Sequence, residues 1–178
     1  MNKLSVLLKH LWRDESDSRR AIPADLLKRL AERVAASEQR HSGELRLCVE
    51  AALPASYLWR LDGKNTLAAL TRQRALMLFG KLRVWDTEHN NGVLIYLLLA
   101  EHAIEIVADR GLSRHVSPAH WEAMVAQMSA AFRAGRYEDG LTQAMEETSA
   151  LLVQHFGVAA GPGSPPNANE LPDQPVLL

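Results

Sequence analysis

The segment Trp85–Gly111, WDTEHNNGVLIYLLLAEHAIEIVADRG, decides the fold. It reads as a polar turn, an apolar strand over Gly92–Ala100, a reversal at Glu101-His102 and an alternating strand over Ala103–Asp109. A strand that is apolar at both parities is covered on both faces, so other elements must lie above and below it. In a hairpin, the start of one strand lies beside the end of its partner. Asp86, Glu88, Asn90 and Asn91 before the first strand should therefore meet Asp109 and Arg110 after the second, at one edge of the sheet.

Working outward, Glu44–Ala51 alternates, with Leu45, Leu47, Val49 and Ala51 opposite Arg46, Cys48 and Glu50, and predicts a half-buried strand. Between it and the hairpin, Thr66–Arg83 has helical periodicity, preceded by a loop with the turn signal Asp62-Gly63-Lys64-Asn65. Strand–helix–strand implies a parallel, right-handed crossover. Helices are also predicted from Ile22-Pro23 to about Gln39, from Ser117-Pro118 to Gly135 and from Tyr137 to Phe156. Ser117 is placed to cap its helix, Pro118 occupies the first turn and Gly135 is the stop signal. The fold class that results is α/β: a three-layer α/β/α sandwich with a small mixed sheet, made of the crossover plus the hairpin.

Leu4, Leu7, Leu8 and Leu11 lie on one helical face at the N-terminus, followed by the charged run Asp14–Arg20. Lys9 and His10 break the apolar stretch and no small-residue cleavage site follows, so it is not read as a secretion signal, and it is too short to span a bilayer. Residues 157–178 hold five of the eight prolines and few core residues. The expected organisation is an amphipathic helix and charged linker over 1–20, a folded domain over 21–156 and a disordered tail over 157–178, in a soluble cytoplasmic protein.

The chain has 178 residues, 47% hydrophobic and 23% charged, with net charge −1 and pI about 6.7. That suits one globular domain, and the bulk charge calls for neither nucleic acid nor an acidic membrane as partner. The lone Cys48 excludes an internal disulfide and reads as a small buried hydrophobe. Arg40-His41-Ser42-Gly43 has the letters of a histidine-phosphatase start, but it precedes a strand and reads as a helix-to-strand turn. The seven histidines are scattered, and structural or surface roles are expected of them. Asp86, Asn90, Asn91 and Asp109 are different, because the hairpin draws them together. Such hard oxygens suit Ca²⁺ or Mg²⁺ better than zinc. Turn and capping chemistry accounts for the same residue types, so both readings stay open.

Asn90-Asn91-Gly92-Val93-Leu94-Ile95, Ile104-Glu105-Ile106-Val107, Gly111-Leu112, Phe132-Arg133-Ala134-Gly135-Arg136-Tyr137 and Gly140, in that order, resemble the TPM domain family. The resemblance covers roughly Leu26–Phe156. It implies the same sandwich, a divalent-ion site and an acid-phosphatase activity that is disputed for the family. Its commoner members are exported and membrane-anchored, and usually carry Gly-x-Gly-Leu-Glu where this chain has Asp109-Arg110-Gly111-Leu112-Ser113. Similar soluble bacterial members imply a partner of the LemA type, a membrane protein. The expected function is an accessory or interaction domain with a weak divalent-cation site. The alternatives are a metal-assisted acid phosphatase of low activity, with Arg110 neutralising phosphoryl charge, and a purely structural adaptor.

Overall fold

A computed structural model describes residues 3–62, 64–158 and 169–178. Helices α1 (Lys3–Leu11), α2 (Glu15–Ala21) and α3 (Ala24–Glu38) lead into strand β1 (Leu45–Glu50). Helices α4 (Ala55–Leu58) and α5 (Leu67–Lys81) precede the hairpin of β2 (Val93–Leu98) and β3 (Ala103–Ala108). Then come α6 (Arg110–Ser113), α7 (Pro118–Arg133), α8 (Tyr137–Phe156) and a short strand β4 (Val176–Leu177). The sheet runs β3-β2-β1-β4, with β1 parallel to both β2 and β4, and β3 antiparallel to β2.

Register builds the core in rungs. Leu45, Val93 and Ala108 lie side by side, as do Leu47, Ile95 and Ile106, and Val49, Leu97 and Ile104. These residues pack with α3, α7 and α8, whereas Cys48, Leu94, Tyr96, Leu98 and Val107 pack on the other face with Val6, Leu58, Leu70 and Leu78. The result is an α/β/α sandwich around a mixed sheet. Ser117 caps its helix as expected, accepting from His120 N–H, and Thr66, expected only as the start of a helical span, caps α5 by accepting from Ala69 N–H. Gly135 takes a positive φ of 72°, and His102 makes the reversal after β2 with φ 48°.

Several expectations are corrected. The run Asp14–Arg20 is no linker: Asp14 and Asp17 form a reciprocal capping box and α2 follows. Strand β1 is buried along its whole length, not on one face. Its polar positions are matched rather than solvated: Glu50 pairs with Arg74 and accepts from Tyr96 Oη at 2.7 Å, and Arg46 donates to the carbonyls of Pro172 and Gln174. Trp85, the first residue of the decisive segment, is half exposed.

The largest correction concerns the tail. Part of it, 159–168, lies outside the described residues. Residues 169–178, expected to be disordered, pack on the domain, and Val176–Leu177 within them form the sheet's fourth strand. Leu178 N–H donates to Val49 O at 2.9 Å and Ala51 N–H to Leu178 O at 3.0 Å, and Leu171 is buried. Proline density misled, because Pro172 and Pro175 flank a segment held by its carbonyls and side chains.

Candidate functional site

The hairpin brings its polar ends together at the edge where β2 begins and β3 ends. Asp109 N–H donates to Gly92 O at 2.9 Å, and Gly111 N–H to Asn90 O at 2.7 Å. Asn90 turns the chain with φ 52°, and Thr87 Oγ1 accepts from Asn91 N–H at 3.1 Å. Glycine is required twice by close approach. A Cβ on Gly92 would stand 1.9 Å from Val84 O, and one on Gly111 would stand 2.4 Å from Asn90 O and 2.6 Å from His89 O. The Asn90-Asn91-Gly92 turn is thereby clamped onto the start of α6.

The four predicted site residues fare differently. Asp86 pairs with Arg83 on a largely solvated surface, and Asn90 serves through its backbone, in the turn. Asp109 caps α6, its Oδ1 accepting from Arg110 N–H at 2.6 Å, while Oδ2 is buried without a partner. Asn91 is wholly buried; its Nδ2 donates to Ser42 Oγ at 3.2 Å and its Oδ1 has no partner. Among the described residues the buried side-chain atoms without partners are these two, Glu44 Oε1 and Thr148 Oγ1. Leaving such an atom unsatisfied costs about 1–3 kcal/mol, so a water molecule or an ion beside one at a sheet edge would be favourable. Among the described residues no three His, Cys, Asp or Glu side chains group as a metal site. Any ion here would have few protein carboxylates and mostly water as ligand.

Sequence reasoning missed an acidic set beside this edge. Glu44 precedes β1 as Gly92 precedes β2, and its backbone O accepts from Val93 N–H at 2.8 Å. Its Oε2 accepts from Leu171 N–H at 3.0 Å, and Glu170 holds Glu88 N–H at 3.0 Å. Glu38 Oε1 accepts from Leu45 N–H at 2.8 Å. Burial pushes the Glu38 carboxyl up to about 8, with Glu44 and Asp173 adding like-charge repulsion, and burial also raises Glu44. Aligning the residues before the two parallel strands would have flagged Glu44; the tail's part was invisible, because the tail looked disordered.

The remaining candidates are structural. His41 is fully buried, bonded to Ser37 Oγ and Gly43 O at 2.9 Å each, and burial lowers it to about 4, so it is a neutral core histidine. Burial pushes the Cys48 thiol up to about 12, an inert thiol. A cleft of about 470 Å³ lies between Arg72, Glu105 and Trp121, and one of about 340 Å³ between Arg33, Ser37, Arg40 and Ser149. Neither is lined by Asp86, Asn90, Asn91 or Asp109.

Comparison with known proteins agrees with this architecture. The TPM domain family model matches residues 16–151. The solution structure of BA42, from the psychrophilic bacterium Bizionia argentinensis, superposes with TM-score 0.68 at 23% identity, over 87% of this chain and 94% of that one. The N-terminal domain of a P. gingivalis protein superposes with TM-score 0.58 at 18% identity, over 80% of this chain and 90% of that one. At these identities the likeness shows the fold alone. No curated protein matches the chain.

Proposed function

Because the chain belongs to the TPM domain family, we propose that it is an accessory or interaction domain whose hairpin edge takes up a hard divalent cation, Ca²⁺ or Mg²⁺. The observation that carries this reading is that each strand end at this edge bears a buried, unpartnered oxygen, Asn91 Oδ1 before β2 and Asp109 Oδ2 after β3. Both are oxygen donors, which suits a hard ion. Only one is a carboxylate, so binding is weak, with water completing the shell. Asn90 shapes the turn and Asp86 adds surface charge. Cytoplasmic residence and a membrane-protein partner of the LemA type are part of the proposal and rest on the family resemblance. Calcium titration followed by backbone amide spectra tests the site. Shifts are expected at residues 90–92 and 109–111; an unchanged spectrum, or shifts confined to other surfaces, would overturn it.

A phosphatase reading ranks second. It draws on the activity that the family resemblance implies and on Arg110, exposed beside Asp109. A bound ion would polarise a phosphoryl oxygen there, and Arg110 would neutralise the charge that develops. Hydrolysis of p-nitrophenyl phosphate that disappears in Asp109→Asn and Arg110→Ala would favour it; equal rates in all three proteins would remove it.

A further inference from the structure

Helix α1 has two apolar faces: among the described residues one packs on the domain and the other is exposed. Its inner face docks through Val6 and His10, both buried, with Leu7 packed behind them. His10 is stapled at both nitrogens: Nδ1 accepts from Leu53 N–H at 3.0 Å, so Nε2 carries the proton that faces Glu101 Oε1 at 3.1 Å. The sequence expectation of one apolar stripe over Leu4, Leu7, Leu8 and Leu11 therefore splits. Leu4, Leu8, Leu11 and Trp12, at spacings of one and two helical turns, face solvent; Leu4 is 61% exposed, Leu11 66% and Trp12 84%. Trp59 joins the same corner, 76% exposed, its carbonyl accepting from Lys3 Nζ at 3.3 Å.

Charge says what covers this face. The span Lys3–Arg13 contains Lys3, Lys9 and Arg13 and no acid, Asp14 and Glu15 follow it, and Arg60 and Lys64 follow Trp59. Asp62 beside Lys3 and Glu101 beside Lys9 offset two of these cations, so the exposed leucines are bounded by cations while the net charge of the corner stays small. Leucines flanked by cations, with a tryptophan toward each end, match the interfacial zone of a bilayer, where indole rings and basic side chains settle at the headgroups. We propose that α1 and Trp59 form a peripheral docking surface for an anionic lipid membrane, a role independent of the cation site.

Co-sedimentation of the full chain with phosphatidylcholine–phosphatidylglycerol vesicles, and with phosphatidylcholine alone, tests this. The expected result is binding to the anionic vesicles with a blue shift of tryptophan emission, and weakening by salt. Leu8→Glu with Leu11→Glu should lower partitioning by at least about tenfold, and Arg13→Gln roughly fivefold. These side chains lie at the surface, and an unchanged thermal melt will establish that the variants fold. Absence of binding, equal binding to neutral vesicles, or equal binding by the double variant would overturn the proposal. So would a dimer in solution that the same substitutions dissociate, since the stripe would then be covered by a second copy.

Discussion

At the scale of single residues, burial decides what each polar group does. Glu38 is buried among Glu44 and Asp173, which holds its folded-state value above the unfolded one, near 8. A carboxyl raised on folding contributes stability below its unfolded value, and that contribution is lost as pH rises through the folded value. His41 runs the other way. Its folded value is depressed to about 4, so its contribution is present above the unfolded value and lost as pH falls. Glu38→Gln keeps an acceptor for Leu45 N–H and removes the titration. Its chemical-denaturation stability should therefore fall less than wild type between pH 6 and 8, and a wild-type slope left unchanged in the variant would contradict this. Glycines give a second contrast. A Cβ on Gly80 would meet nothing within 4 Å, inside α5, whereas one on Gly92 would overlap a carbonyl. Gly80→Ala should stabilise by about 0.4–1 kcal/mol, and Gly92→Ala should destabilise by more than the helix variant gains. Denaturant midpoints moving in the same direction for both would contradict that reading. Asn91 and Gly92 stand out in the sequence as a turn signal, but the clash that demands glycine is tertiary and leaves no local pattern.

At the scale of elements, the legible parts were those with periodicity and caps. Helices α3, α5, α7 and α8 and all three long strands follow from apolar spacing, with Ser117 and Gly135 marking the bounds of α7. Helix α2 was missed although its capping box is local, because its buried face is little more than Ser18. The tail was missed for a physical reason: a two-residue strand has no period, and its anchoring depends on Arg46, Glu44 and Ser18, far away in sequence. A chain ending at Val158 should consequently be less stable than full length. Loss of the buried Leu171 alone is worth about 1.5–3 kcal/mol, and Arg46 and Glu44 would lose their partners as well. Coincident unfolding transitions for the two chains would mean that the tail only rests on the sheet.

At the scale of the whole molecule, the topology sets where chemistry can be. Parallel β1 and β2 and antiparallel β3 bring Glu44, Asn91 and Asp109 to the end of the sheet where β1 and β2 begin and β3 ends, and the tail closes over part of the same end. The sequence named that end, through Asn90, Asn91 and Asp109. It also named Asp86, which the fold engages with Arg83 instead. No helix among the described residues is long and apolar enough to cross a membrane. The most direct test of the central claim is thermal melting with and without millimolar calcium for wild type, Asp86→Asn and Asp109→Asn. Asparagine is as good a helix cap as aspartate, so Asp109→Asn removes charge while keeping the start of α6. An ion that binds the native state alone stabilises it by about 2.7 kcal/mol at a hundred times its dissociation constant. Wild type and Asp86→Asn should therefore melt higher with calcium, and Asp109→Asn should not; equal shifts in wild type and Asp109→Asn, or no shift in wild type, would contradict the cation site.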